Sequence, residues 1–146
     1  IMQMKLNSKI IENEYGVWLD TGSPHLIVES NNTDMIDVKN AGQSIRYNDF
    51  YKEEGVNVNF VEKVSDDVFK IRTYERGVED ETKACGTGST ASAICMNYLG
   101  RTKSNEIKMK CQGGDLNIKF INTDDEFSNI SITGPAKFVF EGVIEI

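Results

Sequence analysis

The sequence predicts an α+β fold in which a mostly antiparallel, curved sheet or barrel wraps around a central buried helix. Most of the chain consists of short apolar runs that alternate with period two between turns, which is typical of strands. Residues 84–100 contain no charged residue, and a helix that is apolar all round is a buried helix. No linker, repeat or low-complexity segment interrupts residues 1–146, so we expect a single domain.

The strands are predicted from alternation and from the turn residues that separate them. Residues 21–24, Thr-Gly-Ser-Pro, form a turn between two apolar runs, and Gly113-Gly114 closes a hairpin. The segment 56–60 alternates as a half-buried strand should. In chain order, the strand-like segments are 1–6, 17–19, 26–28, 56–60, 69–74, 107–111, 116–120, 130–132 and 138–140.

Two segments are predicted to be helices. The first, 38–48, has a narrow apolar side and is expected to lie on the surface. The second, 87–99, has apolar residues at helical spacing and Gly100 as its C-terminal stop. The residues on which these two assignments rest are Val38, Ala41 and Ile45 in the first and Ala91, Ile94, Cys95, Tyr98 and Leu99 in the second.

Composition excludes several classes of function. The formal charge is −7 without a Lys/Arg-rich stretch, which argues against nucleic acid or an anionic membrane surface as partner. No apolar run approaches the roughly 20 residues of a membrane helix. The three cysteines form no CxxC pair, so neither a disulfide framework nor a metal site is expected. Free thiols fit a reducing cytoplasm, which is the expected location.

The start of the second helix has the composition of a reactive site. Residues 84–90 read Ala-Cys-Gly-Thr-Gly-Ser-Thr, and the first N–H groups of a helix have no partner within it. Small residues let an anion approach those donors, and a cysteine there ionises more readily. An amino-acid carboxylate at this point would bring its α-carbon near Cys85. The alternative is a structural cysteine that begins a core helix. A nucleotide P-loop is disfavoured because its lysine is missing.

Other polar residues are open to two interpretations each. Glu75 could orient an ammonium group and Arg76 could bind a carboxylate, or the two could form a surface ion pair at a strand end. His25, the only histidine, could be structural or could form a hydrolase dyad with Cys85. Asn57 could be a ligand donor or part of a polar strand face. Cys95 and Cys111 lie on apolar faces and are assigned to the core.

Six strings in order resemble the second half of diaminopimelate epimerase, and the resemblance spans nearly the whole chain. They are DTGSPH (20–25), GVNVNF (55–60), YERG (74–77), ACGTGS (84–89), GGDL (113–116) and TGPAKFVFEG (133–142).

The resemblance implies a fold and a reaction. Two similar halves, each a sheet around a central helix, face each other across a cleft, and each contributes one cysteine. One thiolate removes the α-proton and the other thiol protonates the opposite face, which converts LL-diaminopimelate to meso-diaminopimelate in lysine biosynthesis. The family uses no pyridoxal phosphate, other cofactor or metal. Fixed dipoles in a water-poor site would have to stabilise the carbanion instead.

The resemblance also assigns roles to residues of this chain. By position, Cys85 matches the second catalytic cysteine, and Glu75 matches the carboxylate that pairs with it and holds the substrate amine. His25 matches the partner of the other cysteine. The matches for substrate contacts are Gly86 and Thr87 for the α-carboxylate and Asn57 and Arg76 for the distal end, where Ser23 replaces the usual Asn. The loop 77–82 is one residue longer than the family pattern and lacks its second glycine.

On this resemblance the N-terminal half, with the other cysteine, is absent from the chain. We therefore expect that half as a partner and expect the chain alone to be inactive. The sequence does not fix the oligomeric state, and a homodimer is one option. Three alternatives stay open: a proline racemase-like enzyme, an isomerase of the phenazine-biosynthesis type that does not rely on Cys85, and a non-catalytic domain.

Overall fold

The computed structural model describes residues 1–145, in which ten strands form one mixed, curled sheet accompanied by two helices. The strands are β1 (Met2–Gln3), β2 (Ile11–Asn13), β3 (Gly16–Asp20), β4 (Pro24–Glu29), β5 (Asn57–Lys63), β6 (Val68–Glu75), β7 (Asp80–Thr82), β8 (Glu106–Cys111), β9 (Gly114–Thr123) and β10 (Glu126–Thr133). The helices are α1 (Val38–Arg46) and α2 (Gly86–Tyr98), and a 3-10 turn covers Thr33–Met35. The α+β class predicted from the sequence is confirmed.

The strands follow the order β1-β10-β9-β8-β6-β5-β4-β3-β2, with β7 paired to β6. Within the described residues, two pairings are parallel, β4 with β5 and β6 with β8, and the others are antiparallel. The mostly antiparallel sheet is therefore as predicted. The parallel pairs arise where a helix joins the strands, because a crossover of that length returns the chain in the same direction. The hairpin of β8 and β9 closes at Cys111 and Gly114 as predicted.

Apolar residues lie on both faces of the central strands and form two clusters. One contains α2 residues with inward side chains of most strands, and the other contains Val38 of α1 with Val58, Phe60 and Tyr74. As a consequence, β5 is buried on both faces at residues 57–61. The predicted half-buried strand is wrong on this point, since alternating polarity there reflects two buried surroundings rather than core and solvent.

Both predicted helices are present, with shifted ends. α1 stops two residues before the predicted end, and Asp37 caps its start by accepting a hydrogen bond from the Asn40 N–H at 3.1 Å. Gly42 of α1 is buried because the helix lies directly on Tyr74. α2 begins one residue earlier than predicted and ends at Tyr98, and its residues 88–96 are all buried. The helix is therefore buried, as its apolar composition predicted.

Two of the predicted strand segments differ in the structure, and two further strands were not predicted. Only Met2–Gln3 of the segment 1–6 pairs in the sheet, and residues 134–145 have no regular structure. Phe138 and Phe140 are 77% and 81% exposed, so the predicted strand there is not formed within the described residues. The strands β2 and β7 were not predicted from the sequence. In the described part of the chain, no helix is long and apolar enough to cross a membrane.

Candidate active site at the start of α2

Cys85 is the N-cap residue of α2, with extended backbone angles (φ −127°, ψ 111°). Its side chain makes no capping hydrogen bond among the described residues, so the first-turn N–H groups are not satisfied by it. The sulfur is half-buried and lies 3.4 Å from the Thr87 hydroxyl oxygen. The helix start thus combines a free thiol with open backbone donors, as the composition of residues 84–90 predicted.

Glycine at position 88 lets α2 approach the sheet closely. A Cβ atom there would lie 2.4 Å from Asn59 Oδ1, 3.2 Å from His25 Cε1 and 3.3 Å from Cys85 Sγ. These are side chains of the site itself. Gly88 therefore brings the thiol and the polar groups of the sheet into one small space.

His25 is completely buried on β4 and faces the first turn of α2. Its Nε2 lies 2.9 Å from Thr87 Oγ1 and 3.0 Å from Ser23 Oγ, and its Nδ1 lies 3.1 Å from Asn59 Nδ2. Burial lowers the pKa of His25 to about 4, with Asp20 partly opposing that shift. The ring is therefore neutral near pH 7. No hydrogen bond joins it to Cys85 in the described structure, because Thr87 lies between them.

Asn57 lies opposite His25 in the parallel pairing of β4 and β5. Its side chain forms hydrogen bonds to residues at the start of β4 and at the end of β6. Its amide nitrogen donates to Ser23 Oγ at 3.2 Å and to the Pro24 carbonyl at 3.0 Å. Its Oδ1 accepts from the Arg76 N–H at 2.8 Å. Both amide hydrogens are thus committed, whereas Oδ1 keeps one free lone pair for a ligand donor.

Glu75 and Arg76 stand at the end of β6 in different settings. Glu75 is half-buried, shares the strand face of Thr73, and its carboxylate has no hydrogen bond or ion pair among the described residues. Arg76 is exposed and donates from its guanidinium to the Glu54 carbonyl at 2.7 Å. A surface ion pair between the two, the structural alternative from the sequence, is therefore not formed.

The loop 77–82 holds a residue with a side chain in the left-handed region. Glu79 adopts this conformation with φ 60°. Its N–H donates to the Glu75 carbonyl at 2.8 Å, and its carboxylate accepts from Gly77 N–H at 3.0 Å and Tyr74 Oη–H at 2.8 Å. Three hydrogen bonds offset the cost of a positive φ in a residue with a side chain.

Asn59 is the site residue that the sequence analysis missed. It is completely buried beside His25, and its Oδ1 accepts from Thr73 Oγ1–H at 3.0 Å. The sequence feature that could have identified Asn59 is its position two residues after Asn57 in an apolar strand, because this spacing places both amides on one face of the strand. An amide at such a position is buried only when it has partners.

Among the described residues, no hydrogen bond joins the other two cysteines to this network. Cys95 is completely buried, and burial raises the pKa of its thiol well above the ordinary value. Cys111 is half-buried and lies 3.4 Å from Ser89 Oγ, and burial raises the pKa of its thiol as well. Their assignment to the core is confirmed for Cys95 and holds in part for Cys111. Within residues 1–145, no three His, Cys, Asp or Glu side chains cluster in a way that could hold a metal ion.

Solved structures share this architecture. A protein from Pseudomonas aeruginosa described as a predicted epimerase superposes with a TM-score of 0.55 over 88% of this chain and 39% of its own, at 12% identity. A PhzF-family phenazine biosynthesis protein from Enterococcus faecalis gives a TM-score of 0.52 over 81% of this chain and 40% of its own, at 15% identity. The fold is therefore of the class that these epimerase-like and PhzF-family proteins share.

The sequence comparisons are more specific. The family model for diaminopimelate epimerase matches residues 17–139, and the chain belongs to that family. The diaminopimelate epimerase of Flavobacterium psychrophilum is 49% identical over 98% of this chain and 56% of its own length. That of Chlorobaculum tepidum is 43% identical over 90% of this chain and 52% of its own length. The chain thus spans about half the length of these relatives.

Proposed function

We propose that this chain is the C-terminal half of a diaminopimelate epimerase and that Cys85 is one of two catalytic thiols. The observation that carries the proposal is the uncapped N-terminus of α2, where Cys85 Sγ contacts a network of buried polar groups. The chemistry is a cofactor-independent inversion at the α-carbon of LL-diaminopimelate. The membership of the chain in the epimerase family supports this choice of substrate.

The helix terminus supplies what the reaction needs most. The N–H groups of residues 86–88 would bind the substrate α-carboxylate, where negative charge accumulates as the α-proton leaves. Donors that are already in place lower the barrier because they need no reorganisation. Cys85 Sγ is bound to the same turn and would face the α-carbon. Glu75, with its free carboxylate, would hold the α-ammonium group next to the thiol.

The distal end of the substrate carries a second ammonium and a second carboxylate. Asn57 Oδ1 has one lone pair left and would accept from the distal ammonium. Arg76 and Ser23 lie on either side of it and would contact the distal carboxylate, for which the Arg76 side chain must leave the Glu54 carbonyl. By the resemblance, His25 belongs with the cysteine of the other half, and in this chain its Nε2 contacts Ser23 and Thr87.

One thiol cannot invert a stereocentre, because the second face of the carbanion needs its own acid. We therefore propose that the N-terminal half supplies the other cysteine, that each half is a curled sheet around its helix, and that residues 1–146 alone do not epimerise the substrate. Both thiols must be reduced to act, which fits a cytoplasmic enzyme. A homodimer of the complete protein is compatible with this arrangement.

The test is α-proton exchange in D₂O with the complete protein, followed by proton NMR. We expect exchange with inversion of LL-diaminopimelate in the parent, and in Cys85→Ser a loss of about a hundredfold or more in the rate of inversion. Cys111→Ser is the matched control, since it removes a half-buried thiol outside the network and should retain activity. If the folded, reduced parent exchanges no α-proton, diaminopimelate is not the substrate.

The alternatives have distinct outcomes in the same assay. Exchange of proline in place of diaminopimelate would indicate a proline racemase-like enzyme. Full activity in Cys85→Ala would indicate an isomerase of the phenazine type, whose fold this chain shares. A folded complete protein that exchanges neither amino acid would be a non-catalytic module.

A further inference from the structure

The contacts of Asn59 determine which way its amide points. Its Nδ2 lies 3.2 Å from the Leu26 carbonyl oxygen and 3.3 Å from the Asn57 carbonyl oxygen, while its Oδ1 lies 3.0 Å from Thr73 Oγ1. Carbonyl oxygens only accept hydrogen bonds, so a reversed amide would set Oδ1 against two oxygens. The buried site has no room for solvent to relieve that repulsion. The nitrogen must therefore face these carbonyls.

The same nitrogen faces His25 Nδ1 at 3.1 Å. Because Nδ2 carries hydrogens and no lone pair for accepting, Nδ1 must be the acceptor and cannot be protonated. We propose that Asn59 is a positioning residue that holds His25 as its Nε2–H tautomer, which makes the histidine a hydrogen-bond donor toward the α2 terminus rather than a base. This assignment of Asn59 stands on geometry alone, whereas its role in turnover rests on the proposed function.

The fixed tautomer orders the rest of the network. The Nε2–H of His25 faces two hydroxyl oxygens, Thr87 Oγ1 at 2.9 Å and Ser23 Oγ at 3.0 Å. Where Thr87 accepts this hydrogen, its own hydroxyl hydrogen is left to donate. Cys85 Sγ and Ser23 Oγ each lie 3.4 Å from Thr87 Oγ1, and we assign the Thr87 hydrogen to the sulfur. Ser23 Oγ already accepts a hydrogen bond from the Asn57 amide at 3.2 Å, which leaves it one of its two lone pairs. On the route through Thr87, the hydrogen bonds run in one direction, from Asn59 through His25 to the sulfur.

A donor that points at the sulfur would stabilise the negative charge of the sulfur as it reacts, because a hydrogen bond to a charged acceptor is stronger than one to a neutral acceptor. The arrangement requires a neutral ring, since an imidazolium would carry hydrogen on both nitrogens. Burial is the largest effect and lowers the pKa of the ring; of the charged groups that act on His25, Arg76 also lowers this pKa and Asp20 raises it. Asn59 therefore acts on Cys85 through two intermediate side chains.

The first experiment reads the tautomer directly by ¹⁵N NMR of the ring nitrogens in the complete protein, with His25→Gln used to identify the signal. We expect an unprotonated Nδ1 and a protonated Nε2 in the parent near neutral pH. In Asn59→Asp, a carboxylate replaces the donor and should move hydrogen onto Nδ1. Thr73→Val is the control, because the two carbonyls still orient the Asn59 amide. A protonated Nδ1 in the parent would overturn the proposal, even if the aspartate variant does not fold.

The second experiment tests whether the chain reaches the sulfur, without using substrate. Iodoacetamide labelling of Cys85 near neutral pH is quantified by peptide mass spectrometry, which separates it from Cys111. Thr87→Val removes the donor and should slow labelling about threefold or more, while Thr87→Ser should restore it. Equal rates in the parent and in Thr87→Val would refute the link to Cys85. Because no amino acid is present, this outcome is independent of whether diaminopimelate is the substrate.

Discussion

Gly88 is the position at which the packing of the site can be tested most sharply. In Gly88→Ala, the new methyl group would meet Asn59 Oδ1 at 2.4 Å, well inside van der Waals contact. Asn59 cannot move aside cheaply, because it is completely buried and its amide is bonded to Thr73, His25 and two carbonyls. Either the helix start or the amide must shift.

The free-energy change follows from two opposing effects. Forcing a methyl group into a packed site costs about 1–3 kcal/mol. Alanine recovers up to about 1 kcal/mol over glycine within a helix. We therefore expect Gly88→Ala to lower the free energy of unfolding by up to roughly 2 kcal/mol. Gly86→Ala is the matched control, since its methyl group meets only Ile132 Cδ1, at 3.4 Å, and should be neutral or stabilising by up to about 1 kcal/mol.

Urea unfolding of the parent and both variants, followed by circular dichroism, measures these differences. The two variants should differ in midpoint, with Gly88→Ala lower. Since displacement of Asn59 also frees the His25 ring, the ¹⁵N signals of the histidine should change only in Gly88→Ala. Equal midpoints for the two variants would mean that the close approach of α2 to Asn59 is not as described.

Three further predictions concern other parts of the molecule. The pKa of His25 is about 4 in the folded protein and 6.5 in an unfolded chain, so above pH 6.5 the ring is neutral in both states and contributes nothing. As the pH falls from 6.5 to about 4, the unfolded state binds the proton first, so the free energy of unfolding should drop by up to about 3 kcal/mol. Urea titrations at several pH values measure this dependence, and His25→Gln should remove the part that is due to the histidine. A thiol reagent should label native protein at Cys85 before Cys95, whose burial raises its pKa and blocks access, and labelling of Cys95 before unfolding would contradict its place in the core. Gly42→Ala should lower the free energy of unfolding by about 2–3 kcal/mol, because its methyl group would lie 2.3 Å from Tyr74 Cβ. Thermal or urea unfolding measures this loss. The control is Gln43→Ala, exposed on the same helix, which should stay within about 0.5 kcal/mol of the parent.

Local patterns were sufficient to predict the elements that carry the site. The uncharged segment 84–100 predicted a buried helix, and the helix is found with Cys85 at its cap. Turn residues predicted the hairpin at Gly113-Gly114. Both features are set by residues close in sequence, which is why periodicity and turn chemistry can identify them.

Features that depend on distant neighbours were not predictable in the same way. The alternation of β5 indicated a half-buried strand, yet α1 and α2 cover both of its faces, and only the assembled fold shows this. The role of Asn59 depends on carbonyls of two strands and a hydroxyl of a third. The apolar segment around Phe138 alternates like a strand, but pairing needs a neighbour, and none is provided within the described residues.

The most direct test of the central claim compares α-proton wash-out from the two stereoisomers in a Cys85→Ala variant of the complete protein. Two thiols on opposite faces each abstract from one configuration only. We expect inversion to be lost in both directions. Exchange without inversion should survive from one isomer only, either LL-diaminopimelate or the D-centre of the meso isomer, because one thiol remains. Inversion at the parent rate, or equal exchange from both isomers, would contradict the assignment of Cys85 as one of two bases.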